Sequence, residues 1–226
     1  MSASLPGGVF ERVLNELGSA ILSGEMDEGH RETVDSLVWK TGASRSVVRE
    51  ATRVLVSLGL LKAGRRVGLR VLGHHEWNTL HPRVVRWRLA SPDRARQLSE
   101  LRDLRHAVEP EAARLAALRR GDGQVTALLR ATAELGDARD DPERFLHADR
   151  KVHGLVLASS GNLMFARLQG VVDEALRDRA FGPNAVAEVA HHDLTLHYLL
   201  VEAIKDQDAP RAHATSREIV ERAFLD

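Results

Sequence analysis

The segment "ADRKVHGLVLASSGN", residues 148–162, places Asp149 and His153 four residues apart. On a helix that spacing sets two side chains on neighbouring turns of one face, where they can converge on a single ion or ligand. Phe145, Val152 and Val156 repeat at the same helical period and mark this as the side that packs inward. A carboxylate and an imidazole on a buried face need a partner inside the fold. His197 can supply one, because in "DLTLHYLLVEAI" it shares a face with Leu194, Val201 and Ile204. Two readings stay open: a ligand or metal site built from Asp149, His153 and His197, or a set of core polar residues that bond one another. The chain has no cysteine, so a metal would be held by oxygen and imidazole alone.

A second chemistry lies near the amino terminus. The formal net charge of the 226 residues is zero, yet Lys40, Arg45, Arg49, Arg53, Lys62, Arg65, Arg66 and Arg70 stand against a single acid, Glu50, between positions 40 and 70. A solvated face ordinarily mixes both signs, so this local excess predicts contact with nucleic-acid phosphate. Arg45 and Arg49 lie four apart on a polar helical side. Arginine in the major groove can donate two hydrogen bonds to guanine O6 and N7, while Ser44, Ser46 and Arg53 suit phosphate or sugar. Arg65 and Arg66 suit phosphate or the minor groove. A basic helix with no ligand is the plain alternative.

Both groups need elements to position them. "GVFERVLNELGSAILSGEM" reads as a helix with Val9, Val13, Leu17, Ile21 and Leu22 inward, stopped at Gly24. A short helix over 33–41 with Val34, Leu37 and Val38 inward is broken at Gly42. Ser44 then caps a third helix, "SRSVVREATRVLVSLGL", with Val47, Ala51, Val54 and Leu55 apolar and Gly59 at its end. "LLKAGRRVGLRVL" reads as two strands around a basic tip, which completes a winged helix-turn-helix over residues 1–73. Residues 74–92 form a linker and connecting helix. Residues 93–226 are helical by period, with helices near 94–118, 123–135, 142–159, 163–180, 185–205 and 209–224, and predict an all-α bundle. The fold class is therefore mainly α, an N-terminal winged helix-turn-helix plus a C-terminal all-α helical bundle.

"SRSVVREATRVLVSLGLL" resembles the signature of the GntR family of transcriptional regulators. The resemblance implies that Arg45 and Arg49 read a half-site and that Gly68 lies in the wing tip. Asp35 stands where many relatives carry a basic DNA-contacting residue. "LRDLRHAVEPEAARLAA", "ADRKVHGLVLASSGN" and "HYLLVEAIKDQDAPRA" resemble three blocks of the FCD effector domain of the FadR-type branch, most similar to its galactonate and other sugar-acid operon repressors. That likeness implies a divalent metal, with zinc as the candidate, on Asp149, His153 and His197, and an effector carboxylate on Arg105. The fourth ligand position of the family falls near Ile219, which cannot coordinate. Water, effector oxygen, or a displaced His191, His192 or His213 could complete the shell.

These readings predict a non-enzymatic, ligand-responsive regulator. It would be a homodimer that binds double-stranded operator DNA and is released by a small carboxylate such as a sugar acid, with lactate-like or dicarboxylic acids as the next choice. The rival is a hydrolase whose metal at Asp149, His153 and His197 activates water. Against it stand the lack of an evident general base and the attached DNA-reading module. An architectural DNA-binding protein would leave the inward cluster purely structural. With no bilayer-spanning apolar run and no secretory signal, the chain is expected in the cytoplasm, without a membrane partner.

Overall fold

A computed structural model describes residues 8–64, 68–183 and 191–224, the side chains of 191–193 excepted. The chain divides into two compact units, residues 1–97 and 98–226. No helix among the described residues is long and apolar enough to cross a membrane.

The first unit begins with α1 (Gly8–Leu22), followed by β1 (Arg31–Glu32), α2 (Val34–Thr41) and α3 (Arg45–Ser57). Next come β2 (Leu61–Gly64), β3 (Gly68–Val71) and α4 (Pro82–Leu89). Thr33 caps α2 by accepting from the Ser36 N–H, and Gly42 ends that helix in the left-handed region at φ 62°. Two residues later Ser44 caps α3 by accepting from the Val47 N–H. This is the tight turn that the glycine and the serine predict. The buried stripe of α3 is Val48, Ala51, Thr52 and Leu55, rotated from the expected one, with Val47 and Val54 half-buried at its edges. On α1 the stripe gains Leu14 and Gly18, and Val9 is exposed.

β2 and β3 pair antiparallel as the wing stem, with Gly64 opposite Gly68. A strand absent from the sequence reading joins them: β1 pairs with β3, so the sheet order is β1-β3-β2 and the wing strand β3 is central. Gly68 has φ 76°, and a Cβ there would lie 2.5 Å from the Glu32 carbonyl oxygen, so a side chain is excluded twice over. The segment expected as linker and connecting helix holds α4, which packs on α1. Trp87 enters the core of this unit and donates from Nε1 to Asn15, and Arg83 forms a two-pronged ion pair with Glu11 at 2.7 and 2.8 Å.

The second unit is all helix among its described residues. It comprises α5 (Arg94–Arg119), which starts just before the boundary, α6 (Asp122–Asp137) and α7 (Pro142–Ser159). α8 (Leu163–Arg167), α9 (Gln169–Phe181), α10 (His191–Lys205) and α11 (Ala209–Arg222) complete it. The single helix expected over 163–180 is two, broken at Leu168. The core is built from Ala112, Ala113 and Ala116 of α5 against larger side chains, Leu128, Val152, Val156, Val201, Ile204 and Ile219. Small residues on one helix let the others approach closely, and each large aliphatic buried contributes about 1.5–3 kcal/mol.

Candidate functional site

The first unit presents a basic surface on α3. Ser44, Arg45, Ser46, Arg49 and Arg53 are all exposed. The Ser44 hydroxyl also accepts from the Val47 N–H and lies 3.0 Å from the Ser46 hydroxyl, so it shapes the helix start as well as facing outward. Arg45 forms an ion pair with Asp35 of α2. Arg49 and Arg53 make no ion pair with a described residue. Gly68 opens β3 opposite Gly64, at the tip end of the wing stem. Arg65 and Arg66 lie outside the described residues.

The second unit brings Arg105, Asp149, His153 and His197 together in its interior, all less than a tenth exposed. Asp149 and His153 come from α7 and His197 from α10. The His197 Nε2 lies 3.1 Å from Asp149 Oδ1, His153 Nε2 lies 3.5 Å from the same oxygen, and the two Nε2 atoms are 3.4 Å apart. The imidazoles meet edge to face at 80°. One ligand atom from each residue falls within 4.8 Å of the others. Despite these distances Asp149 Oδ1 is buried without a hydrogen-bond partner among the described residues. An orphaned buried oxygen beside two imidazole nitrogens is the arrangement that a shared cation satisfies.

Arg105 of α5 joins the cluster through a residue the sequence reading passed over. Glu109, one turn along the same helix and 3% exposed, pairs with the Arg105 guanidinium through its Nε and has its other oxygen 2.7 Å from His153 Nδ1. The Phe224 ring, beyond the end of α11, covers the Arg105 guanidinium at 5.7 Å from its centroid. Ile219 is packed in the aliphatic core, and His213, half-buried on α11, is not part of the cluster. The side chains of His191 and His192 lie outside the described residues.

Comparison with known proteins decides the family. Residues 100–222 match the model of the FCD domain. The chain belongs to the FCD family. It is 28% identical over 213 residues to the galactonate operon transcriptional repressor of Escherichia coli, covering 93% of each protein. It is 24% identical over 200 residues to an HTH-type regulator of the same organism, YieP, covering 87% of this chain and 86% of that one. Among solved structures, the fold is similar to that of Lar, described as controlling the agr system of Listeria monocytogenes, with a TM-score of 0.62 at 15% identity over 97% of this chain and 96% of that one. It is also similar to a GntR protein of Streptococcus agalactiae, with a TM-score of 0.52 at 22% identity over 94% and 98% of the two chains. The protein is a ligand-responsive transcriptional regulator with a winged helix-turn-helix and a helical FCD domain, in a fold similar to that of the GntR structure.

Electrostatics of the FCD site follow from its burial. Burial alone would push the Glu109 carboxyl up, but Arg105 and His153 outweigh it and hold it down at about 2. Asp149 is likewise held below the usual carboxylate range by His153 and His197 against the effect of burial. Burial works to discharge His153, yet the Glu109 and Asp149 carboxylates raise it to about 9. Without a ligand, Arg105 and protonated His153 therefore balance the two carboxylates, and the buried charge of these four groups sums to zero. Asp173 on α9 borders the site. Its Oδ1 is buried without a hydrogen-bond partner, and burial pushes its carboxyl up.

The signal for Glu109 was present as an arginine and a glutamate four apart in "RHAVE". On a helix that pattern ordinarily marks a surface ion pair. Only the packing of α5 against α7 turns it inward.

Proposed function

We propose that the chain is a cytoplasmic repressor of a sugar-acid catabolic operon that leaves its DNA when a small carboxylate binds the buried cluster of the FCD domain. The observation that carries this reading is the continuous buried contact from Arg105 through Glu109 to His153 and on to Asp149 and His197. Arg105 is the group for the acid's carboxylate. Asp149, His153 and His197 would hold a divalent metal, of which zinc suits two imidazoles and one carboxylate. Such an ion would supply a Lewis-acidic position for hydroxyl or carboxylate oxygen. Histidines that ligate are neutral. Arg105, Glu109, Asp149 and a divalent ion then sum to one positive charge, which a single carboxylate neutralises. A hydroxylated monoacid of the galactonate type fits this count, in keeping with the repressor relative.

The same reading makes the chain a homodimer that sets two winged helices on the halves of a pseudo-palindromic operator. Ser44, Arg45, Ser46, Arg49 and Arg53 supply the α3 contacts, and Gly68 with Arg65 and Arg66 the wing. The acid acts through unequal affinity for DNA-competent and incompetent arrangements, and a coupling of about 1–3 kcal/mol is typical. No turnover of the acid is part of this scheme. The test is a thermal-shift screen of metal-analysed protein against sugar acids, hydroxy acids and dicarboxylates. A selective shift abolished in Arg105→Ala, with operator binding retained, supports the proposal. An Arg105→Ala protein that still releases DNA with the same acid refutes it.

A further inference from the structure

Glu109 stands between the two halves of the buried FCD cluster and touches both. Its Oε1 accepts from Arg105 Nε, while Oε2 lies 2.7 Å from His153 Nδ1 and 3.4 Å from Arg105 Nη2. The carboxylate is thus shared between its own helix and α7, in a setting where both partners are almost fully buried. The consequence for His153 is geometric. With Nδ1 committed to Glu109, the nitrogen turned toward Asp149 and His197 is Nε2. An imidazole whose far N–H is held by a carboxylate has its orientation fixed and its near nitrogen made a better donor to a metal. Pro110 follows at once and has no N–H to donate to the His106 carbonyl, so α5 loses one hydrogen bond next to Glu109.

We infer that Glu109 is the positioning residue of this site: it orients His153 for a divalent cation and Arg105 for a carboxylate, so that the two ligands are coupled through one side chain. This rests on the metal and acid reading above and deepens it. A residue that only neutralised Arg105 would need no contact with His153, and one that only oriented His153 would need none with Arg105. Because the coupling is thermodynamic, metal raises acid affinity by the factor by which acid raises metal affinity.

The experiment uses the full-length, metal-stripped chain and Zn²⁺ alone, titrated in competition with a chelator. Glu109→Gln, isosteric but uncharged, is expected to bind Zn²⁺ about 10–100-fold more weakly than wild type, the range usual for loss of a carboxylate behind a ligating histidine. A proton NMR spectrum of the metal-free protein supplies a second readout that loss of general stability does not move. Wild type should show a downfield, exchange-protected imidazole N–H that is lost in His153→Gln and shifts or vanishes in Glu109→Gln. Should Glu109→Gln fail to fold, Glu109→Asp, which keeps the charge and shortens the reach, takes its place with intermediate weakening expected. Wild type and variant that bind Zn²⁺ equally, with the N–H signal unmoved, overturn the inference and leave the proposed function standing. A wild type that binds no Zn²⁺ overturns both.

Discussion

The guanidinium of Arg45, at the start of α3, is paired with the carboxylate of Asp35 on the preceding helix, and both are well exposed. An exposed pair of this kind is worth about 0–1 kcal/mol, so it opens readily when a better partner arrives. In the free protein it nevertheless occupies the arginine and keeps a negative charge beside the surface proposed to meet phosphate. Asp35→Ala should therefore tighten operator binding several-fold at low salt, with the gain shrinking as salt rises. Fluorescence anisotropy across a salt series checks this, and equal or weaker binding by the variant would sink it.

Arg49 lies one turn further along α3, exposed and without an ion pair to any described residue. Arg49→Ala should cost about 1–3 kcal/mol of operator binding and relax sequence preference at one base pair, while leaving the thermal shift by acid unchanged. Specific binding that survives the change would remove Arg49 from the reading surface.

Glu32 gives the first unit a pH dependence. It is 8% exposed, and although burial pushes its carboxyl up, Lys40, Ser36 and His30 hold it down at about 2, against an ordinary value of 4.5. A depressed carboxyl stabilises the fold above its unfolded value and loses that contribution as pH falls toward the folded one. Acid unfolding of this unit should accordingly steepen between about pH 4.5 and pH 2. Glu32→Gln should flatten that window and lower stability at neutral pH by on the order of 2 kcal/mol, which circular dichroism melts at several pH values would read. A variant with the wild-type acid limb would contradict the assignment.

Gly18 of α1 lies against the Trp87 ring of α4, and a Cβ there would come within 2.6 Å of it. Gly18→Ala overpacks this contact and should destabilise the first unit by about 1–3 kcal/mol. Combining it with Trp87→Phe should recover part of the loss relative to the sum of the two single changes, since a smaller ring leaves room for the methyl group. Strict additivity in a double-mutant cycle would show that the two residues do not press on each other.

Much of this architecture is legible in the order of residues because helices with one apolar face announce themselves by period. The stripes on α1, α3 and α7 need only the spacing of Leu, Val and Ile to be found, and Gly42 and Ser44 mark the turn between α2 and α3 by the backbone each favours. The rotation of the α3 stripe onto Val48 and Thr52 is invisible at that level, since Val47, Val48 and Val54 are equally apolar and only packing against α1 chooses among them. The break at Leu168 is marked only by Gly170 two residues on, which falls inside the first turn of α9 and is too weak a signal to split the pattern. β1 is two residues long, too short for alternation to register. The imidazoles and Asp149 were readable as a cluster because each sits on an apolar face. Glu109 was not, because its pairing with Arg105 looks like a solvent-side pattern until the helices pack.

That short strand has a thermodynamic consequence. A wing made of β2 and β3 alone would be a two-stranded ribbon, a form only marginally stable in water. β1 lays a third strand along β3, and Glu32 at its end is tied to Lys40 of α2. The stem of the wing and the first helix of the DNA-reading pair are thus ordered together before any duplex arrives. In the proposed docking on operator DNA little conformational entropy is then spent on this stem, and more of each phosphate contact is left over as affinity.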